Sequence, residues 1–242
     1  MNEQTRRREI RSRLALMAGT GVSVIPSGFR ALANALGGGF PRRSIVEIFG
    51  PPSCGKTTLM LQSVAAAQSS GFTAAWIDAE HVFDAAYASG LGVVLDRLPI
   101  VRPESAEQAL EIAQRLALSG AVDLLVIDSA AALVPRLELQ TGIGQSSSHL
   151  QSRVLASGLR KLAQAVAKAD TSIVFLNQTR SSGEMETSAG GPPLKLCAQV
   201  RLALAPAGVR RTAVRVVKNK IAASPREGEL SWQDGAGFTE SP

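Results

Sequence analysis

The chain has 242 residues, enough for one α/β domain, and 45% of them are hydrophobic. It has no apolar run of the roughly eighteen residues that a membrane span needs and no apolar N-terminal signal, so we expect a cytoplasmic protein with no membrane partner. The net charge of +6 favours an anionic partner, nucleic acid first, and two cysteines far apart in sequence exclude a disulfide scaffold.

The first predicted element is a helix over Gln4–Met17, with a basic face supplied by five arginines between Arg6 and Arg13. It is followed by the helix-breaking residues GTGV. We interpret residues 1–24 as a basic N-terminal arm, which is either a solvated helix or a segment that contacts phosphates or a partner. Residues 25–242 form the core.

The core alternates between strands and helices. Apolar runs predict buried strands, and apolar positions three and four residues apart predict helices. The predicted strands are Ser44–Phe49, Phe72–Asp78, Leu98–Val101, Asp123–Asp128 and Ser172–Leu176. The predicted helices are Lys56–Ser69, Val82–Ala88, Ala106–Leu118 and Leu150–Ala169. This order predicts an α/β fold whose mainly parallel sheet is flanked by helices on both faces.

The alternation of strands and helices ends towards the C-terminus. Val200–Leu204, Thr212–Lys218 and Glu229–Trp232 are predicted strands joined by short turns, and we expect them to be antiparallel additions at one edge of the sheet. Two polar, glycine-bearing segments, Glu138–Ser148 and Arg180–Pro193, follow the C-terminal ends of strands. Ligands bind at that end of open α/β sheets, so we expect both segments to be binding loops.

The stretch GPPSCGKT matches the phosphate-binding motif G-x-x-x-x-G-K-[ST] and lies between a predicted strand and a predicted helix. Backbone N–H groups of such a loop wrap phosphates, Lys56 would reach the β- and γ-phosphates, and the Thr57 hydroxyl would bind Mg²⁺. The predicted nucleotide-binding residues of this loop are Gly50, Pro51, Pro52, Ser53, Cys54, Gly55, Lys56, Thr57 and Thr58.

Three further strand ends carry polar side chains that suit nucleotide hydrolysis. Asp128 ends the apolar run LLVID and would hold Mg²⁺ through its water shell, although an aspartate there can also cap a turn. Glu80 would activate water if its strand neighbours the phosphate-loop strand; otherwise it is an acid at a helix N-terminus. Gln178 follows Asn177 at a third strand end, where an amide can sense the γ-phosphate.

Seven blocks in order over roughly Ile25–Ile221 resemble the bacterial RecA recombinases. They are SIVEIFGPPSCGKTTL, IDAEHVFDAAYASGLGV, EQALEIAQRLALSGAVDLLVIDSAAAL, RKLA, VFLNQTR, ETSAGGPPLK and VRVVKNKIAA. The resemblance implies a RecA-like P-loop NTPase core that uses ATP and Mg²⁺. It also implies an ATP-dependent, DNA-stimulated ATPase of homologous recombination, DNA repair and the SOS response to DNA damage. Such a protein binds single-stranded DNA and forms a homo-oligomer or filament.

By the same resemblance, Glu80 would be the catalytic base and Gln178 the γ-phosphate sensor, while Asp84 and Tyr87 would lie near the adenine. Lys218 and Lys220 would reach the ATP of the adjacent subunit, acting in trans as an arginine finger does. The segments Glu138–His149 and Arg180–Gly191 would be the two DNA-binding loops. The residues that would meet DNA phosphates are Arg153, Arg160, Gly190 and Gly191.

The chain departs from the family pattern where the family assembles and binds DNA. The second loop is short and carries Glu184 and Glu186, and Pro192 and Pro193 remove two N–H donors after the glycine pair. Leu196 stands where the family has a Phe at the subunit interface, and Asp234 stands where it has a Tyr near the adenine of the adjoining subunit. We also expect the N-terminal segment to be shorter than the family's and the family's C-terminal domain to be absent.

These departures keep an alternative open. It is a RecA-like accessory protein of the ImuA type, which would bind RecA or a translesion polymerase and turn over little ATP of its own.

Overall fold

The computed structural model describes residues 23–141, 149–182, 185–189, 191–222 and 227–240, and the side chains of 180–182 and 185–188 are left out of the description. Most of the predicted N-terminal arm, residues 1–22, therefore lies outside the described residues. So do residues 142–148 of the first predicted DNA loop, and 183, 184 and 190 of the second.

The described strands follow the chain order. They are β1 (Val24–Ile25), β2 (Phe40–Pro41), β3 (Ser44–Gly50), β4 (Ala74–Asp78), β5 (Ile100–Val101), β6 (Leu124–Asp128), β7 (Ser172–Ser182), β8 (Met185–Ser188), β9 (Val200–Pro206), β10 (Arg211–Asn219), β11 (Glu227–Gln233) and β12 (Gly237–Glu240). The described helices are α1 (Arg30–Leu36), α2 (Lys56–Ser69), α3 (Ala85–Gly90), α4 (Ala106–Ser119), α5 (Arg136–Gln140), α6 (Leu150–Lys168) and α7 (Pro192–Cys197).

The main sheet has the order β12-β11-β10-β9-β3-β7-β6-β4-β5, and β8 forms a hairpin with β7. From β9 to β5 neighbouring strands are parallel, whereas β10, β11 and β12 continue the sheet as an antiparallel meander. The predicted fold class, a mainly parallel sheet with antiparallel edge strands, is confirmed.

One strand differs from its predicted pairing. Val200–Leu204, expected to be wholly antiparallel, lies in β9, which pairs parallel with β3 on one side and antiparallel with β10 on the other. The unpredicted helix α7 lies between β8 and β9 and returns the chain to the amino-terminal side of the sheet. Because of this crossover, β9 runs in the same direction as β3.

Both faces of the sheet are buried, as near-continuous apolar strands require. Along β3, Val46 and Ile48 pack into a cluster with Leu32 of α1 and Leu59 of α2. Ile45 points to the opposite face, where the cores of α4 and α6 cover the sheet. Each fully buried aliphatic side chain contributes roughly 1.5–3 kcal/mol by leaving water.

Several element boundaries moved for local reasons. The helix predicted over Val82–Ala88 begins at Ala85, because the carboxylate of Asp84 accepts from the N–H of Tyr87 at 2.9 Å and caps it there. The strand predicted over Ser172–Leu176 continues to Ser182, because its second half pairs with β8.

Candidate nucleotide site and DNA-facing helices

The phosphate loop opens at the carboxyl edge of the sheet beside the other predicted strand-end residues. Gly50, the last residue of β3, is the register partner of Gln178 on β7. Asp128 at the end of β6 is the partner of Asp78 at the end of β4, two residues before Glu80. The fold thus brings the loop, Gln178, Asp128 and Glu80 to one edge.

The strand that leads to Glu80 does not lie beside the phosphate-loop strand, which is the condition for its predicted role. Its strand, β4, does not neighbour β3, since β7 and β6 lie between them. Glu80 nevertheless reaches towards the loop side: its Oε1 accepts from Gln178 Nε2 at 3.4 Å and from the hydroxyl of Ser129. The helix that follows is capped by Asp84, so Glu80 does not serve as that N-cap.

The loop is shaped to hold an anion. Gly55 has φ +86° and immediately precedes α2, whose first residue is Lys56. A Cβ at Gly55 would lie 2.4 Å from the ring of Phe238, so backbone conformation and packing both demand glycine. Lys56 Nζ donates to the carbonyls of Gly50 at 3.1 Å and Pro51 at 2.8 Å, which holds its charge within the loop. Loop, lysine and helix N-terminus together fit a nucleotide's phosphates.

Thr57 and Asp128 meet directly, with Thr57 Oγ1 donating to Asp128 Oδ2 at 2.9 Å. The pKa of Asp128 is raised to about 6: burial is the largest cause and the nearby carboxylates of Glu80 and Asp78 add to it, against the lowering effect of the Thr57 hydrogen bond. Among the described residues, no group of three or more His, Cys, Asp or Glu side chains could hold a metal ion. A hydroxyl and one carboxylate suit Mg²⁺, which proteins often bind together with substrate phosphates.

Tyr87 lies against the start of α2. Its hydroxyl is 2.8 Å from Thr58 Oγ1, and the carboxylate of Asp84, three residues earlier, accepts from the Tyr87 N–H. Tyr87 is partly exposed, so its ring is accessible beside the phosphate loop. The structure therefore brings Tyr87 next to the loop, and Asp84 caps the helix that carries it.

A cavity of about 410 Å³ opens over the loop. One wall consists of Ser53, Cys54, Gly55, Lys56, Thr57 and Thr58, and the other of Pro206, Arg210, Arg211, Thr212, Trp232 and Phe238. The sequence alone predicts no role for the second wall, which comes from residues between Pro206 and Phe238, far beyond the loop in the chain.

Hydrogen bonds from Gln62 and an aromatic contact hold this second wall in place. The side chain of Gln62 on α2 accepts from the N–H of Phe238 at 2.9 Å and donates to the carbonyls of Phe238 and Ala236. Trp232 packs edge to face on Phe238, with ring centroids 5.3 Å apart. Asp234, singled out as replacing a Tyr, pairs with Arg210 at 2.7 Å on the surface.

Lys218 and Lys220 lie far from this cavity. Lys218 lies near the end of β10 opposite to Arg211, and Lys220 follows that end. About 23 Å of strand, seven residues at about 3.3 Å each, separates Lys218 from Arg211. Lys218 Nζ donates to the carbonyls of Lys195 at 2.9 Å and Leu196 at 3.2 Å. Partial burial lowers the pKa of Lys218, and Lys220 and Arg201 lower it further.

Three of the four residues predicted to meet DNA phosphates lie within the described structure. Arg153 and Arg160 are both exposed and lie seven residues apart on α6, which places them on one face. A Cβ on Gly191 would lie 3.3 Å from Ser152 Oγ, so the glycine before α7 packs against the residue next to Arg153. Gly190 lies outside the described residues. Pro192 and Pro193 occupy the first turn of α7, and Leu196 on that helix is 72% exposed.

A family model described as the RecA N-terminal domain matches residues 11–239, nearly the whole chain. The chain belongs to the RecA family. The RecA resemblance inferred from the motifs is thereby confirmed, and family membership implies that the site binds a nucleotide.

Curated relatives named Protein RecA agree with this assignment. The chain is 45% identical over 235 residues to the protein from Desulforapulum autotrophicum, covering 91% of this chain and 68% of the relative. For Leifsonia xyli subsp. xyli the values are 46% over 233 residues, 90% and 65%. For Caldanaerobacter subterraneus subsp. tengcongensis they are 46% over 242 residues, 94% and 71%. The chain thus spans about two thirds of the length of these RecA proteins.

Every helix in the described part of the chain is too short or too polar to span a membrane.

Proposed function

We propose that this protein is an ATP-dependent, DNA-stimulated RecA-like recombinase of homologous recombination and DNA repair. The observation that carries the proposal is the convergence of Thr57, Asp128, Glu80 and Gln178 at the mouth of the phosphate loop, within a chain of the RecA family. A nucleotide site with both a metal-holding pair and a hydrolytic pair is built for turnover as well as for binding.

The chain's own residues divide the work of hydrolysis. The loop amides and Lys56 would bind the phosphates of ATP, while Thr57 and Asp128 would hold Mg²⁺, which supplies charge neutralisation when bound. Glu80 would accept the proton of the attacking water. Gln178, whose amide already contacts Glu80, would sense the γ-phosphate and pass its presence along β7 to the hairpin with β8.

One part of this machinery must come from a second copy of the chain. Lys218 and Lys220 lie at the far end of β10 from the chain's own cavity, so within one subunit they cannot stabilise the phosphates. We assign them to the ATP of an adjacent subunit, which requires a head-to-tail homo-oligomer or filament. The exposed Leu196 beside the Lys218 contact supports an interface there.

Single-stranded DNA is the proposed nucleic-acid partner. Arg153 and Arg160 on α6 form a basic surface, and Gly191 before α7 packs against Ser152 beside it. Contacts of this kind go to phosphates, so binding would be independent of sequence and weakened by salt. The setting proposed for this activity is the cytoplasm.

The test is ATP turnover titrated with single-stranded DNA at fixed Mg²⁺. We expect a severalfold rise in turnover as DNA is added. An unchanged rate at saturating DNA would overturn the proposal. The alternative, an accessory protein of the ImuA type, is not favoured, because the curated relatives above are named Protein RecA.

A further inference from the structure

A charged cluster lies buried in the middle of the sheet, behind the nucleotide site. Glu47 on β3 is fully buried and pairs with the Nε of Arg201 on β9, whose side chain is 9% exposed. The guanidinium of Arg201 also stacks over the ring of Phe49, 4.4 Å from its centroid. Buried ion pairs are weak sources of stability, because desolvation offsets their attraction. Stability alone therefore does not explain the buried Glu47–Arg201 pair.

The second oxygen of Glu47 leads towards the nucleotide site. Glu47 Oε1 accepts from Asn177 Nδ2 at 2.9 Å, and the same amide group donates to the carbonyl of Ala189 at 3.0 Å. Asn177 Oδ1 in turn accepts from the backbone N–H of Gln178 at 2.9 Å. Every polar atom of the Asn177 side chain is thus engaged, and its orientation is fixed by Glu47.

Gln178 is held from both sides by this arrangement. Its N–H bonds to Asn177, its carbonyl accepts from the N–H of Ala189 at 2.8 Å, and its side chain reaches Glu80. A glutamine at position 47 could not accept both of these hydrogen bonds, since its side chain has one accepting oxygen and one donating NH₂ group. Glu47 needs two acceptor oxygens because Arg201 and Asn177 both donate to it.

We propose that Glu47, Arg201 and Asn177 form a positioning triad that aligns Gln178 with Glu80 for ATP hydrolysis. Arg201 fixes Glu47, Glu47 fixes Asn177, and Asn177 fixes the backbone of Gln178 and the end of the β7–β8 hairpin at Ala189. The triad touches neither the phosphate loop nor the Thr57–Asp128 pair, so it acts on turnover and leaves nucleotide binding alone. This inference rests on the proposed ATPase function.

The test compares Glu47→Gln with Asp123→Asn, a control at the opposite edge of the sheet. Asp123 is also a largely buried carboxylate that holds a guanidinium, that of Arg42 at 2.7 Å, and it tethers Thr73 at the amino ends of β4 and β6. Both substitutions disturb a structural ion pair, but only the first lies next to Asn177. A general loss of stability would affect the two variants alike.

Two readouts separate positioning from stability. For Glu47→Gln we expect DNA-stimulated kcat to fall roughly tenfold to hundredfold, the cost of misplacing a reacting group by about 1 Å. The Kd for a non-hydrolysable ATP analogue should stay within about twofold, because the binding groups are untouched. Amide hydrogen exchange at Gln178 and Ala189 should accelerate by about tenfold or more, because the backbone hydrogen bonds of these two residues would be weaker. Asp123→Asn should leave all three unchanged.

Arg201→Lys provides a second variant should Glu47→Gln fold poorly. It keeps the positive charge beside Glu47 but loses the planar guanidinium, so it should show the same pattern at smaller amplitude. Equal kcat and equal exchange rates in the triad variants and Asp123→Asn would overturn the inference. If the wild-type protein shows no DNA-stimulated turnover, the proposed function fails, and hydrogen exchange still decides whether the triad positions Gln178.

Discussion

Thr57 and Asp128 join the phosphate loop to the end of β6 through a hydrogen bond of 2.9 Å. They stand 71 positions apart in sequence, yet the loop after β3 and the carboxyl end of β6 open on the same side of the sheet. A hydroxyl and a carboxylate oxygen are ligands that suit a hard divalent cation, which is why we propose this pair as the Mg²⁺ site.

We predict that Asp128→Asn weakens Mg²⁺-dependent nucleotide binding roughly tenfold to hundredfold, the usual cost of losing an outer-shell metal partner. The measurement is the Kd of a fluorescent ATP analogue with and without Mg²⁺. Asp96→Asn, which changes an exposed aspartate in the short helical turn Leu95–Arg97 after α3, is the matched control and should bind as the wild type does. Equal magnesium dependence in both variants would remove Asp128 from the metal site.

The raised pKa of Asp128 predicts two pH effects of opposite sign. Mg²⁺ requires the carboxylate, so wild-type affinity should fall as the pH drops through about 6, and Asp128→Asn should flatten that profile. The folded protein holds this proton more tightly than the unfolded chain, so this group's contribution to the free energy of unfolding should rise over the same descent. Titrating binding and chemical denaturation from pH 7.5 to about 5 separates the two effects.

Glu80→Gln should abolish hydrolysis without abolishing binding. Removing a general base costs about 10²–10⁴-fold in rate, whereas the phosphate contacts of the loop stay in place. Steady-state turnover and analogue binding, measured side by side, check the split. Glu111→Gln, on the exposed face of α4 and paired with Arg115, serves as the control and should hydrolyse ATP normally.

Gln178→Ala should uncouple DNA from turnover. The amide contacts Glu80 at one end and β7 continues into the hairpin at the other, so we expect the DNA-independent rate to persist and its stimulation to be lost. Turnover with and without single-stranded DNA is the measurement. A variant that keeps full stimulation would mean that the signal travels by another element.

The trans role of the lysines can be tested by mixing two inactive proteins. Glu80→Gln carries intact lysines and Lys220→Ala an intact base, so each alone should be inactive. In a mixed head-to-tail filament about one junction in four pairs an intact base with an intact lysine, so about a quarter of wild-type turnover should return. Arg215→Ala, exposed on the same β10, should remain active without mixing. Lysines acting within their own subunit would give no recovery.

The sequence predicts the parallel core, and the meeting of the polar strand ends at one edge of it, because both depend on local signals. Unbroken apolar strands, a glycine-rich loop and polar residues directly after strands suffice to place Lys56, Thr57, Asp128 and Gln178 at one edge. The condition attached to Glu80, that its strand neighbours β3, is not met: β4 lies three positions from β3, and strand order is a property of the whole sheet.

Long-range pairing is what the sequence does not reveal. Arg201 is buried against Glu47, 154 positions away, and the sequence around neither residue predicts that pair. The second wall of the cavity likewise depends on Gln62 holding Phe238 across 176 positions. Both are pairs of ordinary residue types, and a single sequence carries no signal that joins them.

Salt dependence tests the DNA face. Arg153 and Arg160 are exposed on one face of α6, beside Gly191. If each arginine neutralises one phosphate of single-stranded DNA, the double variant Arg153→Ala/Arg160→Ala should lower the slope of log K against log salt by about 1.4, at about 0.7 per phosphate.

The control is Lys168→Ala, at the last residue of the same helix and about 12 Å beyond Arg160 at 1.5 Å per residue. Fluorescence anisotropy of a labelled oligonucleotide between roughly 50 and 200 mM salt gives each slope. Equal slopes for the two variants would move the DNA contacts to another surface. A lower slope in the arginine variant alone, with affinity lost equally for oligonucleotides of different sequence, would establish α6 as a phosphate-contacting element.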